Sequence, residues 1–260
     1  MEQKFVVKIN MEIISPFFVV KPWAGDYLSD LYQSQMKSIG EAWLISTLDQ
    51  AETKIGMQDL SAYLGKKLSF LVKIIDAKES LSIQVHPNDQ WAKKLENSKG
   101  KTECWLIIHA TAGAGVYLGL KEGVSDQDFK NAIFHHESVE HLMNFYTVSN
   151  GDFITVPAGT LHAIGAGVTL LEVQQASGIT YRLWDWGRTG RELHIEKGLK
   201  VCDFRAPYQI TKAKSGLLFK HSDFSCYINE SHGMGWFVNM KNFEVSLSDQ
   251  PQSENYIFIV

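Results

Sequence analysis

Apolar and polar positions alternate over short runs along most of the chain, and Val, Ile, Phe, Tyr and Trp dominate them. Such runs fall at residues 5–9, 42–46, 68–75, 81–86, 104–109, 152–156, 168–174 and 180–185. Turn residues separate them. Many short period-two runs with Gly and Pro punctuation predict an antiparallel sandwich or a small barrel. Helical spacing is rarer. Met57, Leu60 and Leu64 share one helical face, and Asn88 or Asp89 caps a short helix through Leu95. Ser125 with Asp128 three residues later is a capping-box pattern that opens a helix toward Phe134. Ser138 is placed to cap another, carrying Val139, Leu142, Met143 and Tyr146, so that residues 123–146 read as one helical insertion between strands.

These elements divide into a first β-domain over residues 1–205 and a partial second β-domain over 206–260, with a soft boundary at 204–215. The chain ends inside the apolar run Tyr256-Ile-Phe-Ile-Val260, which reads as a truncated second domain. The composition, 45% hydrophobic and 21% charged over 260 residues, is that of a globular protein. A net charge of -4 gives no reason to expect nucleic acid as a partner. Cys104, Cys202 and Cys226 are widely spaced and form no C-x-x-C pair, which fits a reducing compartment rather than a disulfide scaffold. The apolar run at 13–20 is too short to span a bilayer and is broken by Ser15 and Pro16. The chain therefore reads as cytoplasmic, with no membrane partner.

Against this background the polar interruptions stand out. In Leu81-Ser-Ile-Gln-Val-His-Pro-Asn-Asp89, strand alternation puts Leu81, Ile83 and Val85 on one face and Ser82, Gln84 and His86 on the other. That polar face either meets water or lines a site. Glu103 begins the apolar strand Glu103-Cys-Trp-Leu-Ile-Ile108, where a carboxylate is out of character, and His162 follows the tight-turn sequence Val156-Pro-Ala-Gly-Thr160. Two imidazoles, a carboxylate and the Gln84 amide oxygen suit zinc or a first-row neighbour. Lys73 lies in a run that otherwise looks buried, so it either snorkels to the surface or faces a polar cavity. Lys101 points to the same side as Glu103, and Arg182 is a charge inside an aromatic strand. Cations next to a metal suit an anionic substrate such as a sugar phosphate. Trp23, Trp43, Trp184 and Trp186 offer rings that can stack on a sugar, with core packing the favoured reading for Trp43 and Trp105.

The same motifs, in the same order and spacing, resemble the class I mannose-6-phosphate isomerases in their shorter bacterial form. The likeness rests on residues 81–89, Gly100-Lys-Thr-Glu-Cys-Trp105, residues 156–162, and Gln174-Gln175 through Thr180-Tyr-Arg-Leu-Trp-Asp-Trp-Gly-Arg188. Lys21-Pro-Trp-Ala-Gly25 and Gly40-Glu-Ala-Trp43 extend it, so that it covers roughly residues 10–200. It implies a mainly β fold: a cupin-type jelly-roll barrel with a small helical insertion and an incomplete second β-domain. It implies one zinc ion per chain on Gln84, His86, Glu103 and His162, an active-site arginine at Arg182, and further active-site positions at Lys73, Lys101 and Ser82, with Trp23 and Glu41 lining the pocket. The implied reaction interconverts mannose 6-phosphate and fructose 6-phosphate through a cis-enediolate. Its base is left open among Lys73, Lys101, a metal-bound water and Glu41. Two departures stand near the motifs: Gly178 where similar proteins often carry Asp, and Ala24 where they carry glycine. Gly178, together with the shortened C-terminal part, keeps a noncatalytic sugar-phosphate-binding cupin as the alternative. An iron-dependent cupin oxygenase and a closed structural metal site are further readings of the same ligands.

Overall fold

The computed structural model describes residues 14–251 and 255–260. The strand expected over residues 5–9 lies outside them. Within them the fold is mainly β, built on two facing antiparallel sheets. The larger has seven strands in the order Gln209–Lys212, Asp152–Val156, Glu103–Ala110, Val168–Gln175, Phe70–Ala77, Ile39–Ile45 and Phe17–Val20. The facing sheet has five, in the order Met143–Thr147, Gly115–Leu120, His162–Ile164, Ile83–Val85 and Tyr181–Trp184. From Phe70–Ala77 onward chain neighbours alternate between the two sheets, except for the adjacent pair Gly115–Leu120 and Met143–Thr147, as in the jelly-roll barrel that the resemblance implied.

A third sheet holds Gly216–Lys220, Ser225–Ile228, Tyr256–Ile259, Gly235–Asn239 and Val245–Ser248 in that order. It covers the outer face of the seven-stranded sheet: Phe224, Trp236, Val238, Ile257 and Ile259 share one apolar cluster with Leu44, Val72, Ile74, Leu171 and Val173. The seven-stranded sheet is thus buried on both faces, and every residue of Phe70–Ala77 and of Val168–Gln175 is buried. Strands in that position read as near-continuous apolar runs. A charge in such a run has to be paired inside the protein. The sheet also continues past residue 205, because Gln209–Lys212 pairs with Asp152–Val156.

Three helices lie against the outside of the five-stranded sheet. Asn88 caps Asp89–Glu96, its side chain accepting the Trp91 N–H at 2.9 Å. Ser125 and Asp128 close a full capping box on Asp126–Phe134. Ile195–Val201 packs on Tyr181–Trp184, and its Gly198 lets Leu183 and Tyr181 approach where a Cβ would meet Leu183 Cδ2 at 2.6 Å. The second half of the expected helical insertion is different. Only Glu140–Leu142 forms a single helical turn, and Met143–Thr147 is a strand paired with Gly115–Leu120. Met143 and Tyr146 suit a helix by spacing, but sheet pairing and burial of Met143 decide otherwise.

Candidate metal centre and its ionic surround

Inside the barrel the inward positions of each strand change character along its length. Ile107, Ile154, Val168 and Leu170 fill one end with apolar side chains. Toward the other end the inward positions are Glu41, Lys73, Glu103, Glu172 and Gln174, all buried. Strand register makes neighbours of them: Glu103 lies opposite Gln174, and Glu172 lies opposite both Trp105 and Lys73. From the facing sheet, Gln84 pairs with His162 on one side and Arg182 on the other, so these three point the same way.

The turn before His162 is tied to the strand that carries His86. Gly159, at φ +93°, donates its N–H to the His86 carbonyl at 2.8 Å, and Thr160 closes the turn onto Pro157 at 3.1 Å. The two imidazoles then stand 4.8 Å apart between ring centroids. Each is oriented by a backbone carbonyl: His86 Nδ1 meets Ile179 O at 2.9 Å, and His162 Nδ1 meets Thr160 O at 2.8 Å. A ring that donates Nδ1–H in this way presents an unprotonated Nε2 on its other edge. Both Nε2 atoms face Glu103, each 3.5 Å from one of its carboxylate oxygens. One ligand atom from each of the three residues falls within 4.8 Å of the others.

Electrostatics fits this set to a cation. Burial holds both imidazoles neutral, pushing His162 down to about 3 and His86 well below its usual value, with Lys101 acting in the same direction. Burial and the nearby Glu172 raise Glu103 to about 8, against Lys101 and Lys73. Glu103 Oε2 is buried with no hydrogen-bond partner. Two neutral nitrogen donors and an acid short of compensating charge are what a divalent ion would satisfy. The Gln84 side chain adjoins the set with its amide nitrogen 3.3 Å from His162 Nε2, while its oxygen accepts the Ser82 hydroxyl at 3.1 Å. A half-turn of the amide would present the oxygen instead.

Lys101 is only 5% exposed, so it is not the solvated loop residue that its neighbours in sequence suggest. Its Nζ lies 3.2 Å from His86 Nε2 and 3.5 Å from Glu103 Oε2. Lys73 does not snorkel either. Its ammonium sits 3.0 Å from Glu172 and 3.6 Å from Glu41. Burial disfavours its charge, yet Glu172 and Glu41 overcome this and hold its pKa above the ordinary lysine range. Burial likewise raises Glu41, but Lys73 and Lys21 bring it down to about 2.

The contacts also place residues for which the sequence offered no role or another one. Glu172 is the inner acid of this network, accepting from Trp105 Nε1 at 3.0 Å. Its signal was available, since it interrupts Leu-Leu-Glu-Val-Gln-Gln as Lys73 interrupts its own run. Trp105 is a core residue as expected, whereas Trp43 is half-buried and belongs to no core cluster; each indole N–H holds an acid, and Trp43 donates to Glu41 at 2.7 Å. Trp23 is packed in the apolar barrel cluster with Ile75, Ala77 and Leu81. Its ring edge lies beside Gly40, where a Cβ would come within 2.8 Å of it. Trp186 is fixed by its N–H to the Leu81 carbonyl at 2.6 Å. Arg182 shares the inward face of Gln84, and its guanidinium is held by the Glu192 carbonyl at 2.7 Å. The backbone at Gly178 has open space around it, so the glycine there meets no steric demand.

A cupin-type barrel enclosing a His–Glu–His group that could hold a metal ion, with Lys73 and Lys101 buried beside it, defines the class of protein. The catalytic-domain profile of type I phosphomannose isomerase matches residues 32–102. The chain is 34% identical over 211 residues to mannose-6-phosphate isomerase ManA of Bacillus subtilis, a span covering 72% of this chain and 66% of that protein. It is 36% identical over 217 residues to the probable mannose-6-phosphate isomerase GmuF of the same organism, covering 72% and 67%. It therefore belongs to the mannose-6-phosphate isomerase family. The chain spans about two thirds of the length of these two relatives, and 46% of a Streptococcus mutans mannose-6-phosphate isomerase to which it is 41% identical over 148 residues. In fold it matches the crystal structure of the mannose 6-phosphate isomerase from Bacillus subtilis, with a TM-score of 0.75 over 95% of this chain and 98% of that one at 23% identity. A mannose 6-phosphate isomerase bound with zinc and yttrium matches with a TM-score of 0.64 over 95% and 93% at 15% identity.

Proposed function

We propose that the chain is a metal-dependent aldose–ketose isomerase that interconverts mannose 6-phosphate and fructose 6-phosphate through a cis-enediolate. One observation carries this reading: His86, Glu103 and His162 converge with both Nε2 atoms turned inward, beside a buried pair of lysines. His86, Glu103 and His162, with Gln84 after a turn of its amide, are the residues that would hold zinc or a similar divalent ion. Bound there, the ion supplies Lewis acidity toward sugar oxygens.

The protein's own groups do the rest. Lys73, fixed between Glu172 and Glu41, is a permanent positive charge set into the wall behind the ligand set. Lys101 is the cation next to the ligands, 3.2 Å from His86 Nε2 and 3.5 Å from Glu103 Oε2. Arg182, on the inward face beside Gln84, takes the enediolate or the phosphate. The Ser82 hydroxyl donates to Gln84 here and is in place to donate to a phosphate oxygen. Glu41 holds Lys73, Lys21 and the Trp43 indole, which makes the pocket wall near Trp23 rigid before substrate arrives.

The test combines metal analysis with a coupled assay for fructose 6-phosphate formed from mannose 6-phosphate, before and after chelation. Turnover that is lost on chelation and restored by zinc is the expected result. Tight sugar-phosphate binding without turnover would favour the noncatalytic reading that Gly178 motivates. Oxygen consumption in place of isomerisation would mark an oxygenase.

A further inference from the structure

The third sheet reaches the edge of the metal centre through one turn. Between Gly216–Lys220 and Ser225–Ile228 the chain turns over His221 to Phe224, and Phe224 is buried against Phe70 with ring centroids 6.4 Å apart. Asp223 projects from this turn into the loop that precedes Glu103. Its Oδ1 receives Lys99 Nζ at 3.1 Å and its Oδ2 receives Gln175 Nε2 at 2.8 Å. Its carbonyl accepts the Ser69 hydroxyl at 2.6 Å, which fixes the turn against the start of Phe70–Ala77.

Gln175 is 1% exposed and carries the connection inward. Its amide nitrogen donates to Asp223 and also to Asp89 Oδ1 at 3.2 Å. With both donors on carboxylates, only the oxygen is left for the opposite side, where it accepts the Thr102 N–H at 2.9 Å. The Gln175 N–H meanwhile donates to Thr102 O at 3.0 Å. Thr102 is therefore gripped on both backbone groups, and it is the residue between Lys101 and Glu103. The same loop is held on its other flank by Lys99 on Asp223 and by Gly100 N–H on Asp89 at 2.8 Å.

We infer that Asp223 is a positioning residue: through Gln175 and Lys99 it sets the loop 99–102, and so the placement of Lys101 and Glu103 at the metal centre. The C-terminal sheet then contributes to the chemistry as well as to stability. The inference rests on the proposed isomerase reading for its kinetic arm only. Small displacements of reacting groups cost large factors in rate, whereas a packing role would alter melting alone.

Asp223→Ala, Asp223→Asn, Gln175→Ala and the double variant Asp223→Ala/Gln175→Ala are compared with the wild type. Each is measured for kcat and KM with mannose 6-phosphate, for Co2+ affinity by titrating the metal-free protein, and for melting temperature. Asp223→Ala is expected to lower kcat on the order of tenfold and to weaken Co2+ binding. Asp223→Asn, which keeps an acceptor for Gln175 but loses the charge facing Lys99, should fall in between. The losses in the double variant should fall short of the product of the two single losses, because the Gln175 arm is shared while the Lys99 arm belongs to Asp223 alone. Wild-type kcat and Co2+ affinity in Asp223→Ala would overturn the inference, as would losses that multiply in the double variant. If Asp223→Ala does not fold, Asp223→Asn decides by the same readouts. A wild-type chain that binds Co2+ without isomerising sugar phosphate would refute the isomerase reading, and the Co2+ titrations alone would then judge Asp223.

Discussion

Replacing Glu172 by glutamine removes the carboxylate nearest to a buried ammonium while keeping its shape. Lys73 Nζ would lose the partner at 3.0 Å and retain Glu41 at 3.6 Å, an acid it already shares with Lys21 at 3.1 Å. Breaking a buried pair by deleting one partner costs about 3–5 kcal/mol. The remaining acid puts Glu172→Gln at the lower end, about 3 kcal/mol. The glutamine oxygen still accepts from Trp105 Nε1, so that bond adds nothing to the cost. Glu172→Ala strands the indole N–H as well, which adds roughly 1–3 kcal/mol. For a chain of this size about 3 kcal/mol corresponds to a fall in melting temperature on the order of 6–12 °C. Thermal melts of metal-free protein at fixed pH and salt provide the assay. The double variant Glu172→Gln/Lys73→Met is the internal control: with the ammonium gone it should recover much of the loss, since an apolar replacement of a buried pair is often close to neutral. A Glu172→Gln protein that melts with the wild type, or a double variant worse than the single, would refute the claim that Glu172 compensates Lys73.

The other expectations are simpler to state. His86→Ala should abolish both bound metal and turnover; preserved zinc content, read by elemental analysis, would remove His86 from the ligand set. Arg182→Ala should retain metal but lose kcat or phosphate-dependent binding by about 100-fold or more, as loss of one group aimed at developing charge does, and unchanged steady-state kinetics would take Arg182 out of the site. Metal-free protein should lose stability in acid. His162 titrates at about 3 folded against 6.5 unfolded, so its contribution is complete above pH 6.5 and is lost as pH falls toward 3. The slope is up to about 1.4 kcal/mol per pH unit for each such proton, and His162→Phe should flatten it in a denaturation series across that window.

Much of this was legible before any tertiary information. The strand at 152–156 was placed at its observed bounds, and a cap at Asn88 or Asp89, which the structure gives to Asn88, and the Ser125–Asp128 capping box were read from local chemistry that a few neighbouring residues complete on their own. Gln84, His86, Glu103, Lys73 and Arg182 stood out as polar interruptions of apolar strands, and His162 by the tight-turn sequence before it. The helix expected over Met143 and Tyr146 failed because its spacing fits two periods, and pairing with Gly115–Leu120 settled between them. No local pattern foretold that the Asp223 turn of the third sheet touches the loop beside Lys101.

By itself, then, the sequence determined alternation, turns, caps and the identity of the chemically active side chains, because these depend on neighbours within a few residues. Tertiary structure decided which partner each buried charge obtained. Lys73 finds Glu172 and Glu41, residues 99 and 32 positions away, and no local pattern contains that information. It also decided that Lys101 is buried, that two indoles serve acids, and that a distant sheet holds the site's loop. Register across a sheet brings together residues that chain distance keeps apart, and burial then makes their pairing obligatory.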